Sequence, residues 1–287
     1  MRGISCVLFL SLLLVALGGV SAESVDLGRG PVPLIVPKGY DESKPAPLIV
    51  LIHGYTSSGA GQDAYWKIGE KADEYGFFFM APDGTLEDSE AKNRFWNATE
   101  ACCDFHGSEV DDSGYIIGLI DDVKKRYSID PNRVYVMGHS NGGFMSHRLA
   151  QDHPDVIAGI VALNGAAPNT IKGPKPERPV HILHVHGTTD RLNLYEGGDI
   201  QGVRYPGPEE SVRKWAEYGF GATEASTPSE KLDLDQRVEG SETRITRYAD
   251  GSVELWTLEG VGHIPAFNEN WSKLIIEWLL AHPKPAE

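Results

Sequence analysis

A serine stands inside a glycine-rich pentapeptide near the middle of the chain, Gly-His-Ser-Asn-Gly at residues 138–142. Strand-forming residues precede this pentapeptide at 134–137, and a segment with helical character follows it at 144–150. A sharp turn between a strand and a helix exposes a serine hydroxyl and directs free helix N–H groups toward a developing oxyanion. The flanking glycines lack the Cβ atoms that would collide in such a turn. The pattern therefore predicts that Ser140 is a nucleophile.

Two residues suited to acid–base chemistry follow other predicted strands. Asp190 ends the segment Gly-Thr-Thr-Asp after an apolar run, and His263 lies in a glycine-rich loop after the last predicted strand. Loops at the carboxyl ends of parallel strands meet at one edge of a sheet, and the chain order Ser, Asp, His is that of the α/β-hydrolase fold. We expect His263 to accept the Ser140 proton and Asp190 to orient the imidazole. Asp199 and Asp250 are the alternative acids.

Backbone N–H groups are expected to bind the oxyanion of the tetrahedral intermediate. An apolar run at 47–53 ends in a loop of small residues that begins His-Gly-Tyr-Thr, which brings Tyr55 close to the nucleophile. The second donor is the residue that follows the serine, Asn141. The sequence thus predicts an oxyanion hole formed by the backbone N–H groups of Tyr55 and Asn141.

Three histidines, His181, His184 and His186, lie within one predicted strand and raise the possibility of a metal site. Alternation along a strand places His184 and His186 on one face and His181 on the other. No cysteine or carboxylate with the spacing of a metal ligand accompanies them. We therefore interpret these histidines as packed core residues and expect neither a metal nor another cofactor.

Apolar runs and amphipathic segments alternate along the chain, which predicts a mostly parallel central sheet with helices on both faces and no large lid domain. Helical spacing is expected at 61–75 and in a closing helix at 270–281. Asp250-Gly251 is expected to turn a hairpin between strands 243–248 and 253–258. A long segment without a period, residues 85–110, is typical of a functional loop.

The chain has 287 residues and a formal net charge of −15. Residues 1–22 have the pattern of a secretory signal, with Arg2, an apolar run too short to span a bilayer, and a small-residue cleavage site. We expect a single catalytic domain at 23–287, secreted outside the cell or into a periplasm without a membrane anchor. The acidic charge argues against nucleic acid and anionic membranes as partners.

The chain resembles secreted α/β-hydrolase esterases of the feruloyl esterase and polyhydroxybutyrate depolymerase-like group. The motifs that carry the resemblance are His-Gly-Tyr-Thr at 53–56, Phe-Trp-Asn-Ala-Thr-Glu-Ala-Cys-Cys at 95–103, Val-Asp-Asp-Ser-Gly at 110–114, residues 133–143, His-Gly-Thr-Thr-Asp at 186–190 and Gly-His at 262–263. The resemblance implies a cofactor-free serine carboxylesterase with Ser140, Asp190 and His263 as its triad. It leaves open whether the ester substrate is a small aromatic or aliphatic ester or a polyester.

The resemblance also places the loop of residues 85–110 beside the nucleophile. We expect Trp96 to line the acyl cleft, because an indole offers a flat apolar wall; the alternative is that Trp96 anchors the loop in the core. Asn97, His139 and Thr56 are the other expected substrate contacts.

Cys102 and Cys103 are the two cysteines that remain after the predicted signal is removed. We expect them to form a disulfide with each other in an oxidising compartment, although neighbouring Cα atoms are closer than disulfide geometry prefers. The alternative is a pair of reduced thiols packed as small apolar groups.

Two other functions remain open. The same fold carries serine peptidases, which would cleave an anilide as well as an ester. A hydrolase scaffold can also serve as a catalytically silent binding protein, since fold does not imply function.

Overall fold

The structure, a computed structural model, describes residues 23–284, so the predicted signal at 1–22 lies outside the described residues. Ten strands form the main sheet in the order β1-β2-β4-β3-β7-β8-β9-β14-β13-β12. Six neighbouring strands at its centre, from β4 to β14, are parallel, and the strands outside them are antiparallel. Two short hairpins, β5–β6 and β10–β11, lie outside the main sheet.

The strands, in chain order, are β1 (Ser24–Val25), β2 (Val32–Ile35), β3 (Ala46–Ile52), β4 (Phe78–Met80), β5 (Thr85–Leu86), β6 (Arg94–Phe95), β7 (Ile129–His139), β8 (Gly159–Leu163), β9 (His181–Gly187), β10 (Gly197–Ile200), β11 (Val203–Pro206), β12 (Lys231–Leu232), β13 (Thr243–Tyr248) and β14 (Val253–Leu258). The α-helices are α1 (Gly59–Trp66), α2 (Ala72–Tyr75), α3 (Asp112–Arg126), α4 (Asn141–Asp152), α5 (Pro208–Trp215) and α6 (Asn270–Ala281), with 3₁₀ turns at Gly69–Lys71 and Ala249–Gly251 and a π-helical turn at Ala216–Phe220.

Both faces of the central sheet are buried, and the alternation along β3 shows how. Leu48 and Val50 belong to one hydrophobic cluster, whereas Ile49 and Leu51 belong to the other. Because successive side chains of a strand point to opposite faces, the two clusters lie on opposite sides of the sheet. Helices α3, α4 and α5 contribute to the first cluster, and α1, α2 and α6 contribute to the second. The predicted mostly parallel sheet with helices on both faces is confirmed.

The expected closing helix and the expected hairpin at Asp250-Gly251 both form. The helix expected at 61–75 is broken, because Lys67 adopts a left-handed conformation with φ of 57° that ends α1. Within residues 23–284, no helix is both long and apolar enough to cross a bilayer. The division of the chain into a signal and one catalytic domain stays a prediction.

Candidate active site

Ser140 forms the whole turn between β7 and α4. Its φ and ψ are 56° and −119°, a strained conformation for a residue with a side chain. A Cβ atom on Gly138 would lie 2.2 Å from the Gly142 carbonyl oxygen, and a Cβ atom on Gly142 would lie 2.2 Å from the Ile52 carbonyl oxygen. Both positions therefore require glycine, because the turn brings backbone against backbone.

His263 and Asp190 meet beside this turn. Nδ1 of His263 lies 2.7 Å from Oδ2 of Asp190, and Oδ1 of Asp190 accepts the backbone N–H groups of Leu192 and Asn193 at 2.8 and 3.0 Å. Burial raises the pKa of Asp190, but the hydrogen bond and charge of His263, together with these N–H groups, outweigh burial and hold the pKa below its usual value. An ionised Asp190 accepts the Nδ1 proton of a neutral His263, so the lone pair of the ring is on Nε2.

The alternative acids are held elsewhere. Asp199 lies in the β10–β11 hairpin, where its Oδ1 accepts the backbone N–H of Gly202 at 2.7 Å. Asp250 lies in the turn between β13 and β14. Among the described residues, Asp190 is thus the carboxylate that contacts His263.

Ser140 and His263 border one cavity of about 610 Å³. Within residues 23–284, neither Ser140 Oγ nor His263 Nε2 forms a hydrogen bond to another protein group. The lining contains no Asp, Glu, Lys or Arg; it consists of Gly54, Tyr55, Thr56, Ser57, Gly61, Gln62, Tyr65, Cys102, Cys103, Phe105, His139, Ser140, Leu192, Asn193, Ile200, His263 and Ile264. A cavity with this lining suits a neutral, largely apolar group.

The two backbone groups expected to bind an oxyanion are positioned by separate elements. Tyr55 follows β3, and Asn141 opens α4, where the first N–H groups of a helix have no acceptor within the helix. Among the described residues, the backbone N–H groups of Tyr55 and Asn141 have no protein acceptor. The next residue, Thr56, donates its N–H to the Arg94 carbonyl at 2.9 Å, which fixes the loop after β3.

Comparison with known proteins gives the family. The family model for phospholipases and carboxylesterases matches residues 39–198, more than half of the chain. The chain belongs to this phospholipase/carboxylesterase family. It is also 31% identical over 255 residues to feruloyl esterase B of Neurospora crassa, with 79% of this chain and 81% of the relative covered. These matches confirm the resemblance to the feruloyl esterase group.

Two further comparisons agree with the assignment. Poly(3-hydroxyalkanoate) depolymerase C of Paucimonas lemoignei is 26% identical over 249 residues, covering 79% of this chain and 56% of the relative. The solved acetyl xylan esterase from Aspergillus awamori superposes with a TM-score of 0.62 at 18% identity, covering 90% of this chain and 98% of that one, which confirms the α/β-hydrolase fold. The chain spans between a fifth and slightly more than half the length of several curated relatives.

The prediction that Trp96 lines the cleft of this carboxylesterase-family protein is wrong, because the side chain is fully buried and does not border the cavity. Its indole N–H donates to the His53 carbonyl at 3.1 Å, and its backbone N–H and carbonyl bond the amide side chain of Asn141, both at 2.8 Å. Trp96 therefore ties the loop after β3 to the start of α4, which carry the two candidate oxyanion donors.

Asn97 also lies away from the Ser140 cavity. Its side-chain amide donates to the Val110 carbonyl at 2.9 Å, and its backbone N–H donates to Asp112 at 2.6 Å. It borders two other surface depressions that do not contain Ser140, so the prediction that Asn97 contacts the substrate there is wrong. Hydrogen bonds from Trp96 to Asn141 of α4 and from Asn97 to Asp112 of α3 hold this stretch away from the Ser140 cavity.

Thr56 and His139 do border the cavity. The Nε2–H group of His139 donates to the His263 carbonyl at 2.8 Å and so helps to position the loop that carries His263. Burial, followed by the nearby His263 ring, lowers the pKa of His139 to about 4, which keeps the ring neutral at physiological pH. Contact of Thr56 or His139 with a substrate stays a prediction.

The sequence analysis missed the side chains that form the apolar wall of the cavity. Phe105 packs edge-on against the Tyr55 ring, with 5.4 Å between centroids, while Leu192 and Ile264 at the rim are 68% and 61% exposed. Phe105 lies two residues beyond the cysteine pair, in the loop that was expected beside the nucleophile. Its aromatic side chain in that loop was the sequence feature that could have identified it. No pattern marked Leu192 or Ile264, since both lie in irregular loops.

Cys102 and Cys103 are both buried and border the cavity. Their sulfur atoms are adjacent, and the Asn141 amide approaches Cys102 Sγ at 3.6 Å. A covalent bond between the two sulfur atoms stays a prediction.

His184 and His186 are fully buried, as expected for core residues. Nδ1 of His184 lies 3.1 Å from Nε2 of His147, and Nε2 of His184 lies 3.2 Å from Nδ1 of His186. These nitrogen atoms bond one another, and among the described residues no group of three or more suitable side chains could hold a metal ion.

Proposed function

We propose that this protein hydrolyses carboxylic esters through a covalent acyl-enzyme intermediate on Ser140. The observation that carries the proposal is the 2.7 Å contact between His263 Nδ1 and Asp190 Oδ2 at the edge of the cavity that also contains Ser140. Membership of the phospholipase/carboxylesterase family supports ester hydrolysis as the reaction.

The first half of the reaction follows from the protonation states. His263 Nε2 takes the proton of the Ser140 hydroxyl as Oγ attacks the acyl carbon, and the ring becomes an imidazolium that the Asp190 carboxylate stabilises. The oxyanion that forms accepts hydrogen bonds from the backbone N–H groups of Tyr55 and Asn141. Collapse of the tetrahedral intermediate releases the alcohol, which takes its proton from His263 Nε2.

The second half repeats this chemistry with water. Neutral His263 removes a proton from a water molecule, which attacks the acyl carbon, and the returning proton frees Ser140 as the acid leaves. The two halves together consume one water molecule, and every proton transfer passes through His263. The strained Ser140 turn suits this role, since it holds the hydroxyl at the cavity, where no group of residues 23–284 forms a hydrogen bond with it.

The cavity supports a neutral acyl group as the substrate class. Its wall combines aromatic rings with aliphatic side chains and lacks a charged residue, which fits a hydroxycinnamoyl group or a hydroxyalkanoate unit better than an anionic acyl chain. The feruloyl esterase and depolymerase relatives act on substrates of these two kinds, by their names. We infer an ester of a small aromatic or aliphatic acid, free or within a polyester.

A paired substrate assay tests the reaction. The purified protein should hydrolyse p-nitrophenyl acetate and methyl ferulate while leaving the matching p-nitroanilide intact. Comparable turnover of the anilide would point instead to a serine peptidase. Absence of turnover on every ester, with a folded protein, would favour the silent binding protein.

We also propose that the protein is secreted and that Cys102 and Cys103 are joined as a disulfide. The signal-like residues 1–22 support export, which places the cysteines in an oxidising compartment. The exported protein should begin at Glu23. Intact-mass measurement after denaturing alkylation without reductant should show no added alkyl group, and two added groups would mean reduced thiols.

A further inference from the structure

Three imidazoles form a continuous row inside the protein. His147 lies on α4, whereas His184 and His186 lie on β9, and all three side chains are essentially inaccessible to solvent. The contacts run from His147 Nε2 to His184 Nδ1 at 3.1 Å and from His184 Nε2 to His186 Nδ1 at 3.2 Å. We call His147, His184 and His186 the histidine row.

The groups at the two ends of the row fix the direction of its hydrogen bonds. At one end the indole N–H of Trp215, which can only donate, bonds His147 Nδ1 at 3.0 Å. At the other end the Asn193 carbonyl, which can only accept, lies 2.8 Å from His186 Nε2. Each ring must therefore accept at Nδ1 and donate at Nε2, and all three rings are neutral with the proton on Nε2.

The histidine row ends at Asn193, a residue of the turn that hydrogen-bonds the Asp190 carboxylate. Asn193, whose carbonyl is held by His186, donates its backbone N–H to Asp190 Oδ1 at 3.0 Å. The side-chain amide of Asn193 also donates to the Asn164 carbonyl at 2.6 Å, and the Asn164 amide donates to the His263 carbonyl at 2.8 Å. Movement of Asn193 would thus disturb both partners of the Asp190–His263 contact.

We propose that the histidine row is a positioning device for Asp190. The row clamps the Asn193 carbonyl, so that the Asn193 N–H and the Asp190 carboxylate stay aligned with His263. Its middle ring, His184, bonds neither Asn193 nor any residue of the Ser140 cavity, and it acts only by keeping His186 in its tautomer and orientation. Burial supports this role, since it lowers the pKa values of all three rings and keeps them neutral.

Two substitutions at His184 separate positioning from packing. A glutamine side chain offers one acceptor and one donor, and His184→Gln can therefore preserve the direction of the row, whereas His184→Leu fills the space without either group. For His184→Leu we expect kcat on p-nitrophenyl acetate to fall about tenfold with KM nearly unchanged, while His184→Gln retains most of the wild-type kcat. Rates are expressed per active site titrated with a fluorophosphonate, so that loss of folded protein does not count.

The kinetic comparison rests on the proposed esterase function, and NMR supplies a readout that does not. In wild-type protein at pH 7, nitrogen chemical shifts should show all three rings with the proton on Nε2. The downfield signal of the His263 Nδ1 proton, which reports its bond to Asp190, should weaken in His184→Leu and persist in His184→Gln.

An unchanged His263 signal and an unchanged rate per site in folded His184→Leu would overturn the proposal. The proposal would also be overturned if His184→Gln had as low a rate per active site as His184→Leu. A ring of the row that carries its proton on Nδ1 in the wild-type protein would overturn it as well. If wild-type protein hydrolyses no ester but the NMR results hold, the proposed function fails and the positioning role stands. If His184→Leu does not fold, the wild-type tautomers and the His184→Gln variant still test the proposal, because a folded His184→Gln variant that loses the His263 signal would overturn it.

Discussion

The two sides of the Ser140 cavity are built differently. On the inner side, hydrogen bonds that link Asp190, Asn164 and Asn193 to His263 position this histidine at the cavity that Ser140 also borders. We call these five residues the frame. On the outer side, apolar side chains from loops, from α1 and from the end of β10 form a wall that comprises Tyr55, Tyr65, Phe105, Leu192, Ile200 and Ile264. A hydrogen bond requires a defined direction and distance, whereas an apolar contact still forms when one apolar side chain replaces another of similar size. The frame should therefore determine the reaction, and the wall should determine which ester reacts.

Loss of the nucleophile or the base should have the largest effect. Ser140→Ala and His263→Ala should each lower kcat by about 10⁴-fold or more, and the double variant should be no slower than either single one, because the two residues act as a unit. Steady-state kinetics on p-nitrophenyl acetate measure this, with circular dichroism as the folding control. If the His263→Ala variant retained most of its activity, the assignment of His263 as the base would be wrong.

Asp190→Asn should have the next largest effect, with kcat lower by up to about 10⁴-fold. An amide at this position cannot stabilise the imidazolium and can donate to Nδ1, which favours the wrong tautomer of His263. Asp199→Asn is the matched control, since Asp199 lies in the β10–β11 hairpin, where its carboxylate accepts the backbone N–H of Gly202. Equal losses in the two variants would contradict the assignment of the acid.

Trp96→Phe should affect all substrates alike, because Trp96 belongs to the support of the frame and not to the wall. The change keeps an aromatic ring but removes the donor to the His53 carbonyl, which costs roughly 1–3 kcal/mol where a buried acceptor is left unpaired. Thermal unfolding should occur at lower temperature, and kcat should fall by about the same factor for acetate and ferulate esters. A loss of kcat confined to bulky esters would mean that Trp96 contacts the acyl group of the substrate.

Acid should destabilise the protein through its buried neutral histidines. Burial lowers the pKa of His147 to about 3 and that of His186 to about 4, compared with 6.5 for a free histidine. Below pH 6.5 these histidines bind protons in the unfolded chain but not in the folded chain. The free energy of unfolding therefore decreases as the pH is lowered, by up to about 1.4 kcal/mol per pH unit for each ring. Urea unfolding between pH 7 and pH 4.5 should show a shallower fall in His186→Gln. Equal slopes would contradict the neutral state of His186.

Changes in the wall should be smallest and should depend on the substrate. Phe105→Ala removes the ring that packs on Tyr55, and it should raise KM for methyl ferulate by about fivefold to tenfold while leaving p-nitrophenyl acetate within about twofold. Leu86→Ala, an exposed apolar residue that does not border the cavity, is the control. A uniform loss across acyl groups would mean that Phe105 supports the frame.

The difference between the frame and the wall also appears in how well each could be predicted from the sequence. The strained turn at Ser140 was predictable because a strand, a turn and a helix in immediate succession impose local constraints that glycine alone satisfies at the flanking positions. The contact between Asp190 and His263 was predictable because parallel strands place their carboxyl ends at one edge of the sheet.

The supports of the frame were not predictable, since they depend on partners far away in the chain. Trp96 bonds Asn141 across 45 residues, and His147 meets His184 only through the packing of α4 on the sheet. An aromatic residue in a long loop has the same sequence pattern whether it faces the cavity or the core. The expectation for Trp96 failed for that reason, and the wall residues Phe105, Leu192 and Ile264 carried no periodic signal.

The most direct test of the central claim is the site of covalent labelling. Wild-type protein treated with a fluorophosphonate should gain one adduct per chain, and peptide mass spectrometry should locate it on Ser140; labelling should be lost in Ser140→Ala and slowed strongly in His263→Ala. A folded protein that hydrolyses p-nitrophenyl acetate but carries the adduct on another serine, or carries none, would contradict Ser140 as the nucleophile.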